Sequence, residues 1–248
     1  MKIDYAIHSS DSNPFYLDFW KPVSKIWKTL FGITPVLIYI DDNHDIDIDT
    51  THGKVVKMKP VKGVPIALQC LWVRYWFPST EPEKVSIISD IDMIPISKKY
   101  FQKSIENIPN DKYVHLNPFE NYLPSCYHVA KGSRYKEVLK LHDTWEDSVL
   151  FLNSLNLGYS HCIPGIISTN TWGSDEKYAT ECIQNFPDRT VFVFIKRSHD
   201  RVDRSNWTYD VNDLFSDRYA DSHSIRPYSI HKNEIDKLIK IVEIMYAE

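Results

Sequence analysis

Two aspartates, Asp90 and Asp92, follow directly after a short apolar run, Val85 to Ser89, and are separated by one residue. Ligands of parallel α/β sheets bind beyond the carboxyl ends of the strands, so two carboxylates at that position can converge on one hard divalent cation. A second apolar run, Met93 to Ile96, comes next, and carboxylates between two buried segments need a partner. The pattern predicts an Mn²⁺ or Mg²⁺ site that bridges the phosphates of a diphosphate ligand. The alternative is an acidic pair in an exposed turn.

A second acidic cluster competes for this role. The run Asp45-Ile46-Asp47-Ile48-Asp49 is similar to the start of a calcium-binding loop. However, Thr50 stands where such a loop requires glycine, and Val56 stands where it closes with glutamate. The alternation of aspartate and isoleucine favours an edge strand instead.

Short apolar runs alternate with helical patterns in the first half of the chain, which predicts a mainly parallel sheet covered by helices on both faces. The predicted strands cover residues 2–7, 35–40, 54–58, 85–89, 112–116, 127–130 and 191–195. The predicted helices cover residues 16–31, 65–77, 98–106, 133–141, 145–155 and 174–186, with Ser97 and Ser174 as N-caps, and the last helix is marked by apolar residues from Ile235 to Met245.

Composition excludes several classes of protein. The chain has 248 residues and no linker rich in glycine and serine, so we expect a single domain over 1–248. A net charge of -4 gives no electrostatic reason to expect nucleic acid as a partner. We expect no transmembrane segment, because no run approaches about 20 apolar residues. Because the N-terminal segment turns polar after one short strand, we expect no signal peptide. The cysteines Cys70, Cys126, Cys162 and Cys182 form no close pair, and the two observations together favour free thiols and a cytoplasmic location.

The stretch from Ala67 to Arg74, followed by Pro78, by Lys84-Val85 and by Asp90-Ile91-Asp92, resembles the donor-site segment of the glycogenin-like and bacterial galactosyltransferase-like GT-A glycosyltransferases. The resemblance implies a Rossmann-like α/β GT-A fold with a mixed, mainly parallel central sheet flanked by helices. It divides the domain into a nucleotide-sugar-binding half, 1–97, and an acceptor-side half with the C-terminal helix, 98–248. It also implies that Asp90 and Arg74 contact the donor; the alternative for Arg74 is a surface arginine with a packed stem.

A C-terminal stretch carries a second likeness. His223-Ser224-Ile225-Arg226-Pro227-Tyr228 is similar in order to the His…Lys-Pro-Trp ending of the same families. The resemblance implies that His223 is a third metal ligand beside Asp90 and Asp92, and that Arg226 takes the phosphate role through its guanidinium fork. The spacing between the two residues is shorter than in those families, and His231 is the alternative ligand.

The third likeness is Trp172-Gly173-Ser174-Asp175-Glu176, an acidic pair after a tryptophan at a predicted helix start. In several GT-A families such a pair faces the acceptor, which makes Asp175 and Glu176 the predicted catalytic residues. One carboxylate would deprotonate the acceptor hydroxyl in an inverting enzyme, or support the sugar in a retaining one. The alternative is two acidic residues that stabilise the first turn of a helix.

Further contacts are predicted from position. His8 and Ser9 end the first predicted strand and Asp41 ends the second, where the base and ribose bind in this fold. The charged loop 197–204 is either a lid over the donor or a solvated loop.

Together with the carboxylate pattern, the resemblance implies a glycosyltransferase that moves a sugar from a UDP- or GDP-sugar donor to a glycan or other hydroxyl acceptor with Mn²⁺ or Mg²⁺. A sugar-phosphate nucleotidyltransferase is the first alternative, but the segment from His8 to Pro14 lacks the glycines of its phosphate-binding loop. A GT-A-like protein that binds without turnover is the second.

Overall fold

The computed structural model describes residues 1–159 and 171–247. In this part of the chain the main sheet has seven strands in the order β3-β2-β1-β4-β7-β6-β8, and a second sheet has three in the order β5-β10-β9. The strands are β1 Tyr5–Ser10, β2 Thr34–Ile40, β3 Lys54–Met58, β4 Val85–Ile88, β5 Met93–Pro95, β6 Tyr113–His115, β7 His128–Lys131, β8 Phe192–Phe194, β9 Asp200–Asp203 and β10 Tyr219–His223.

The main sheet is mixed and mainly parallel, as predicted. The strands β1 to β4 pair in parallel with one another, and β8 is parallel to β6. Among the described strands of this sheet, only β7 runs antiparallel to its neighbours, β4 and β6. The carboxyl ends of β1, β2 and β4 therefore lie at one edge of the sheet, where a ligand site is expected.

Helices cover both faces of this sheet. They are α1 Pro14–Leu17, α2 Trp20–Thr29, α3 Ile66–Trp76, α4 Lys98–Phe101, α5 Gly132–Val138, α6 Trp145–Ser154, α7 Ser174–Gln184, α8 Val211–Phe215 and α9 Tyr228–Met245. Successive residues of each strand point to opposite faces, so Ala6 packs in the core with α2 and α9, whereas Ile7 packs in the core with α3, α5, α6 and α7. Burial on both faces explains why the strands lack polar alternation.

The second sheet was not predicted from the sequence. Its strand β10 pairs antiparallel with β5, which follows the Asp90-Ile91-Asp92 segment, and in parallel with β9. The buried carboxylate of Asp221 on β10 accepts bonds from Arg201 Nε and Nη2 at 2.7 and 2.6 Å. It also accepts a 2.6 Å bond from the Tyr127 hydroxyl. This cluster fastens the second sheet to the main core.

Several predicted elements differ in the structure. The helix predicted over 16–31 is divided into α1 and α2, and the one over 98–106 ends as α4 before a short 3₁₀ turn. The edge strand predicted over 45–49 is wrong: the segment is irregular. Its carbonyl groups accept side-chain bonds instead of strand pairing, from Trp20 Nε1 to Asp49 and from Lys57 Nζ to His44 and Ile46.

The cysteines and the helices can be compared with the expectations of free thiols and of no transmembrane segment. Cys70, Cys126 and Cys182 are free thiols, and Cys162 lies outside the described residues. Among residues 1–159 and 171–247, none of the helices has the length and apolar character needed to cross a membrane.

The Asp221 cluster yields a stability prediction. We expect Asp221→Asn to lower the free energy of unfolding by about 3 kcal/mol, because it leaves the charge of Arg201 buried without its partner. Asp200→Asn is the matched control, since Asp200 forms an exposed ion pair with Arg218 and such pairs contribute about 0–1 kcal/mol. Urea unfolding measures both variants; equal losses would contradict the assigned role of Asp221.

Candidate functional site

A cleft of about 310 Å³ opens at the carboxyl edge of the parallel strands, which is within the range of small-molecule sites. It collects side chains from both halves of the chain. The described residues that line it are Ser9, Ser10, Asp11, Tyr16, Ala67, Cys70, Leu71, Arg74, Asp90, Ile91, Asp92, Tyr122, Ser125, Tyr159, Trp172, Asp175, Glu176, Arg204, His223 and Arg226.

Strand pairing brings Asp92 and His223 together. In the antiparallel pair of β5 and β10, His223 lies opposite Met93, the residue after Asp92. The backbone N–H of Ser224 donates to the Asp92 carbonyl at 3.0 Å. As a result, His223 Nε2 lies 3.7 Å from Asp92 Oδ2, although 131 positions separate them in sequence. The other ring nitrogen, Nδ1, lies 3.5 Å from the Asp203 carboxylate, which holds the imidazole in orientation.

The buried Asp92 carboxylate is surrounded by cationic groups. Its Oδ2 accepts a bond from Arg204 Nη1 at 3.1 Å, and Arg226 Nε lies at 3.4 Å. The Arg226 guanidinium lies about 5 Å from the ring centroids of both Phe15 and Tyr16, at cation–π distance. With these contacts, two guanidinium groups point into the cleft where an anionic ligand would bind.

Arg74 connects Asp90 to the start of α7. It is almost fully buried, forms an ion pair with Asp90, and lies 3.7 Å from Asp175 Oδ2 and 3.4 Å from the Ser125 hydroxyl. Burial alone would lower the pKa of Arg74, but the Asp90 and Asp175 carboxylates outweigh it and raise the pKa. Burial would raise the pKa of Asp90, but the charge of Arg74 holds it down at about 2. Both groups of this pair are therefore charged.

The acidic pair of α7 lies across the cleft. Gly173, at φ 74°, is the N-cap, so Ser174 is the first helical residue and not the cap that the sequence predicted. Asp175 is buried, and its carboxylate oxygens have no hydrogen-bond partner among the described residues. Glu176 accepts a 2.8 Å bond from the Ser125 N–H.

Both carboxyl groups of this pair have unusual acidity. Burial raises the pKa of Asp175 to about 6, in spite of the nearby Arg74 charge. Burial likewise raises the pKa of Glu176 to about 7, although the Ser125 N–H favours the ionised form. Carboxyl pKa values raised to near neutrality in a cleft are typical of groups that exchange protons with a ligand.

A histidine cluster holds the segment that contains Ser125. His115 Nε2 and His128 Nε2 both lie 2.9 Å from the Pro124 carbonyl. His115 Nδ1 accepts from the Asn117 N–H, so its Nε2 carries the proton that the Pro124 carbonyl accepts. Neither ring is among the described residues that line the cleft, so both act on its structure through the Pro124 carbonyl.

Of the three predicted nucleotide contacts, Ser9 lies in the described cleft lining, whereas His8 and Asp41 do not. Ser9 donates its hydroxyl to the Cys70 carbonyl. His8 is fully buried beside Trp20 and Trp27, and burial lowers its pKa to about 3. Asp41 accepts bonds from the Ser12 and Asn43 N–H groups.

Sequence reasoning missed or underestimated four cleft residues. The loop predicted over 197–204 is wrong for residues 200–203, which form β9, and Arg204 directly follows this strand in contact with Asp92. Tyr16, Tyr122 and Ser125 carry no local signal, because their positions depend on tertiary packing. His231, the alternative metal ligand, lies on α9 and does not line the described cleft.

Comparison with known proteins identifies the fold. No protein-family model matches the sequence, and the sequence has no significant match among curated proteins. Two solved structures of LgtC match nearly the whole chain. One is galactosyltransferase LgtC in complex with donor and acceptor sugar analogs, at a TM-score of 0.50 and 10% identity, covering 98% of this chain and 95% of that one. The other is an active-site mutant of LgtC, at a TM-score of 0.51 and 9% identity, covering 90% and 88%.

This chain has the GT-A glycosyltransferase fold. A glycosyltransferase involved in glycosylation of the major capsid of PBCV-1 also matches, at 10% identity over 95% of this chain and 99% of that one, but its TM-score is only 0.45. The predicted fold class is thus confirmed, whereas likeness at such identities does not assign the roles of individual residues.

The acidity of Glu176 predicts a pH-dependent stability. Its pKa is raised from 4.5 to about 7, so folding favours the protonated form, and its contribution to stability is present below pH 4.5 and lost as pH rises through 7. We expect the wild-type free energy of unfolding to fall by on the order of 2 kcal/mol between pH 5 and pH 8 from this group.

Glu176→Gln should remove most of that fall, because glutamine does not ionise. Urea unfolding at the two pH values measures it, with Glu181→Gln, an exposed position of the same helix, as the control. An unchanged pH dependence in Glu176→Gln would contradict the raised pKa.

Proposed function

We propose that this protein is a divalent-metal-dependent glycosyltransferase that moves a sugar from a UDP- or GDP-sugar to an acceptor hydroxyl. The observation that supports this most is the convergence in one cleft of Asp90, Asp92, His223, Arg226 and the α7 carboxylates, on a GT-A fold. One side of the cleft carries cations suited to a diphosphate, and the other carries carboxylates suited to hydroxyl groups.

The residues present fit a divalent cation by type. Asp92 and His223 approach each other to 3.7 Å, and Asp90 borders the same cleft. Asp90 is turned toward Arg74, and within residues 1–159 and 171–247 no three acidic, histidine or cysteine side chains form a complete metal-binding group. Mn²⁺ and Mg²⁺ commonly take one or two carboxylates and complete their shell with substrate phosphates. The cation would neutralise charge on the diphosphate as it leaves.

The arginines supply the remaining positive charge for the diphosphate. Arg226 and Arg204 both contact Asp92, and a phosphate group entering the cleft would offer each of them a second anionic partner. Arg226 is positioned by the Phe15 and Tyr16 rings, so its guanidinium is ordered before the donor arrives. Cations arranged in advance around developing negative charge are the main source of rate enhancement in such transfers.

The α7 carboxylates act on the hydroxyl side. In the transfer, a bond forms between the acceptor oxygen and the anomeric carbon while the bond from that carbon to the phosphate oxygen breaks. The electron pair of the broken bond leaves with the diphosphate. In an inverting reaction the acceptor proton goes to Glu176 or Asp175, and their pKa values of about 7 and 6 suit proton exchange near neutral pH. In a retaining reaction Asp175 would accept bonds from sugar hydroxyls, which suits its oxygens because they have no hydrogen-bond donor among the described residues.

Thermal-shift measurements with UDP- and GDP-sugars, with and without Mn²⁺, test the proposal. We expect stabilisation to require the metal and to be lost in Asp92→Ala, because Asp92 would hold the cation beside the diphosphate. Asp47→Ala, in the exposed acidic segment, is the control and should behave as wild type. Intact metal-linked stabilisation in Asp92→Ala would refute the site. Hydrolysis of the nucleotide sugar supports transfer, whereas pyrophosphate release from a nucleoside triphosphate and a sugar phosphate supports a nucleotidyltransferase.

A second prediction concerns Arg204. We expect Arg204→Gln to bind Mn²⁺ alone more tightly than wild type by about three- to tenfold, because a cation that competes for Asp92 is removed. The same variant should bind UDP without metal more weakly, because a phosphate partner is lost. Calorimetric titration measures both affinities. Arg218→Gln, which removes an exposed arginine outside the cleft, is the control. Weakened binding of both ligands in Arg204→Gln would contradict the proposed competition.

A further inference from the structure

Two aromatic rings lie at the outer end of the cleft, on a tight hairpin. Phe119 and Tyr122 form an isolated antiparallel bridge, in which the Phe119 N–H donates to the Tyr122 carbonyl at 3.0 Å. Phe119 is 57% exposed and Tyr122 is 39% exposed. Their ring planes are inclined by only 27°, with centroids 6.4 Å apart. Large apolar side chains placed together at the surface beside a cleft indicate a binding surface.

The hairpin is fixed relative to the proposed catalytic residues. The Leu123 N–H donates to Thr180 Oγ1 of α7 at 3.1 Å, and the Ser125 N–H donates to Glu176 Oε1 of the same helix. Between them, the Pro124 carbonyl is held by His115 and His128. Because α7 carries both carboxylates, a group bound on the two rings has a set position with respect to Glu176.

The two rings extend from the cleft outward. Tyr122 lines the cleft together with Glu176, whereas Phe119 does not belong to the described lining. The hairpin also presents exposed Glu120 and Asn121 beside the rings. A sugar offers the matching chemistry, since one face of its ring carries C–H groups that pack on an aromatic plane and its rim carries hydroxyls that bond to carboxylates and amides.

We propose that the 119–122 hairpin is a stacking platform for an oligosaccharide acceptor, and this inference rests on the proposed function. The sugar that carries the reacting hydroxyl would bind between Tyr122 and Glu176, and the next sugar would stack on Phe119. The acceptor is therefore a glycan of at least two rings and not a bare serine or threonine side chain.

A panel of probes tests the assignment on the full chain with UDP or GDP and Mn²⁺ present. It consists of immobilised disaccharides and trisaccharides, the methyl glycosides of single sugars, and serine- and threonine-containing peptides. We expect wild type to bind at least one oligosaccharide more tightly than the matching methyl glycoside. Phe119→Ala and Tyr122→Ala should each weaken that binding by about three- to tenfold, since an aromatic contact contributes roughly that much.

Matched variants separate stacking from loss of structure. Phe119→Tyr keeps an aromatic ring and should bind the oligosaccharide as wild type does. Phe215→Ala removes a comparably exposed ring on α8, outside the described cleft lining, and should also bind the oligosaccharide as wild type does. Metal-linked stabilisation by UDP or GDP should be the same in Phe119→Ala, Phe119→Tyr and Phe215→Ala, because Phe119 and Phe215 are absent from the described lining of the cleft. Glycan binding that is unchanged in both alanine variants, binding of peptides only, or no glycan binding by a protein that is stabilised by nucleotide would each overturn the inference. Absence of nucleotide stabilisation would instead refute the proposed function.

Discussion

The structure of the cleft depends on the compensation of buried negative charge. Asp92 and Asp175 are each about 97% or more removed from solvent, and a carboxylate in that position is stable only with a cation nearby or in its neutral form. The two carboxylates differ in how far this is met. Asp92 is surrounded by Arg204, Arg226 and His223, whereas among the described residues Asp175 has one long contact, with Arg74, and burial raises its pKa to about 6. This difference gives the cleft one side rich in cationic groups and another side with carboxylates whose pKa values are raised.

The positions of these charges follow from the way two sheets meet. The main sheet delivers Asp90 at the end of β4, and the second sheet begins three residues later with β5. Because β10 runs antiparallel beside β5, its last residue, His223, lies next to Asp92. Arg226 follows three residues later in the chain. The buried cluster of Asp221, Arg201 and Tyr127 fixes β10 against the core. Thus an interaction outside the cleft determines the distance between Asp92 and its C-terminal partners.

Local patterns in the sequence predicted the parts of the fold that depend on local physics. The apolar strands with burial on both faces, the helix over Ile66–Trp76, and the edge at which Asp90 and Asp92 lie all follow from hydrophobic runs and their ends. The second sheet could not be predicted, because β9 is mostly charged and β10 carries a buried aspartate, Asp221, whose burial depends on the distant partners Arg201 and Tyr127. Arg204 was not recognised as a cleft residue for the same reason, and His8 is polar but enclosed by Trp20 and Trp27. Burial of a polar residue by tertiary contacts leaves no periodic signal.

The ion pairs of the cleft also constrain how a donor would enter it. Both Asp90 and Asp92 are already in contact with arginines. Asp90 forms an ion pair with Arg74, and Asp92 contacts Arg204 and Arg226. A divalent cation arriving alone would have to compete with these guanidinium groups, and a diphosphate arriving alone would have to draw them from the carboxylates. If the proposed ligands bind together, the phosphates would take up the arginines and the cation would take up the carboxylates, so every charge would keep a partner. Under the proposed function, these ion pairs would therefore favour joint binding of cation and nucleotide over binding of either one.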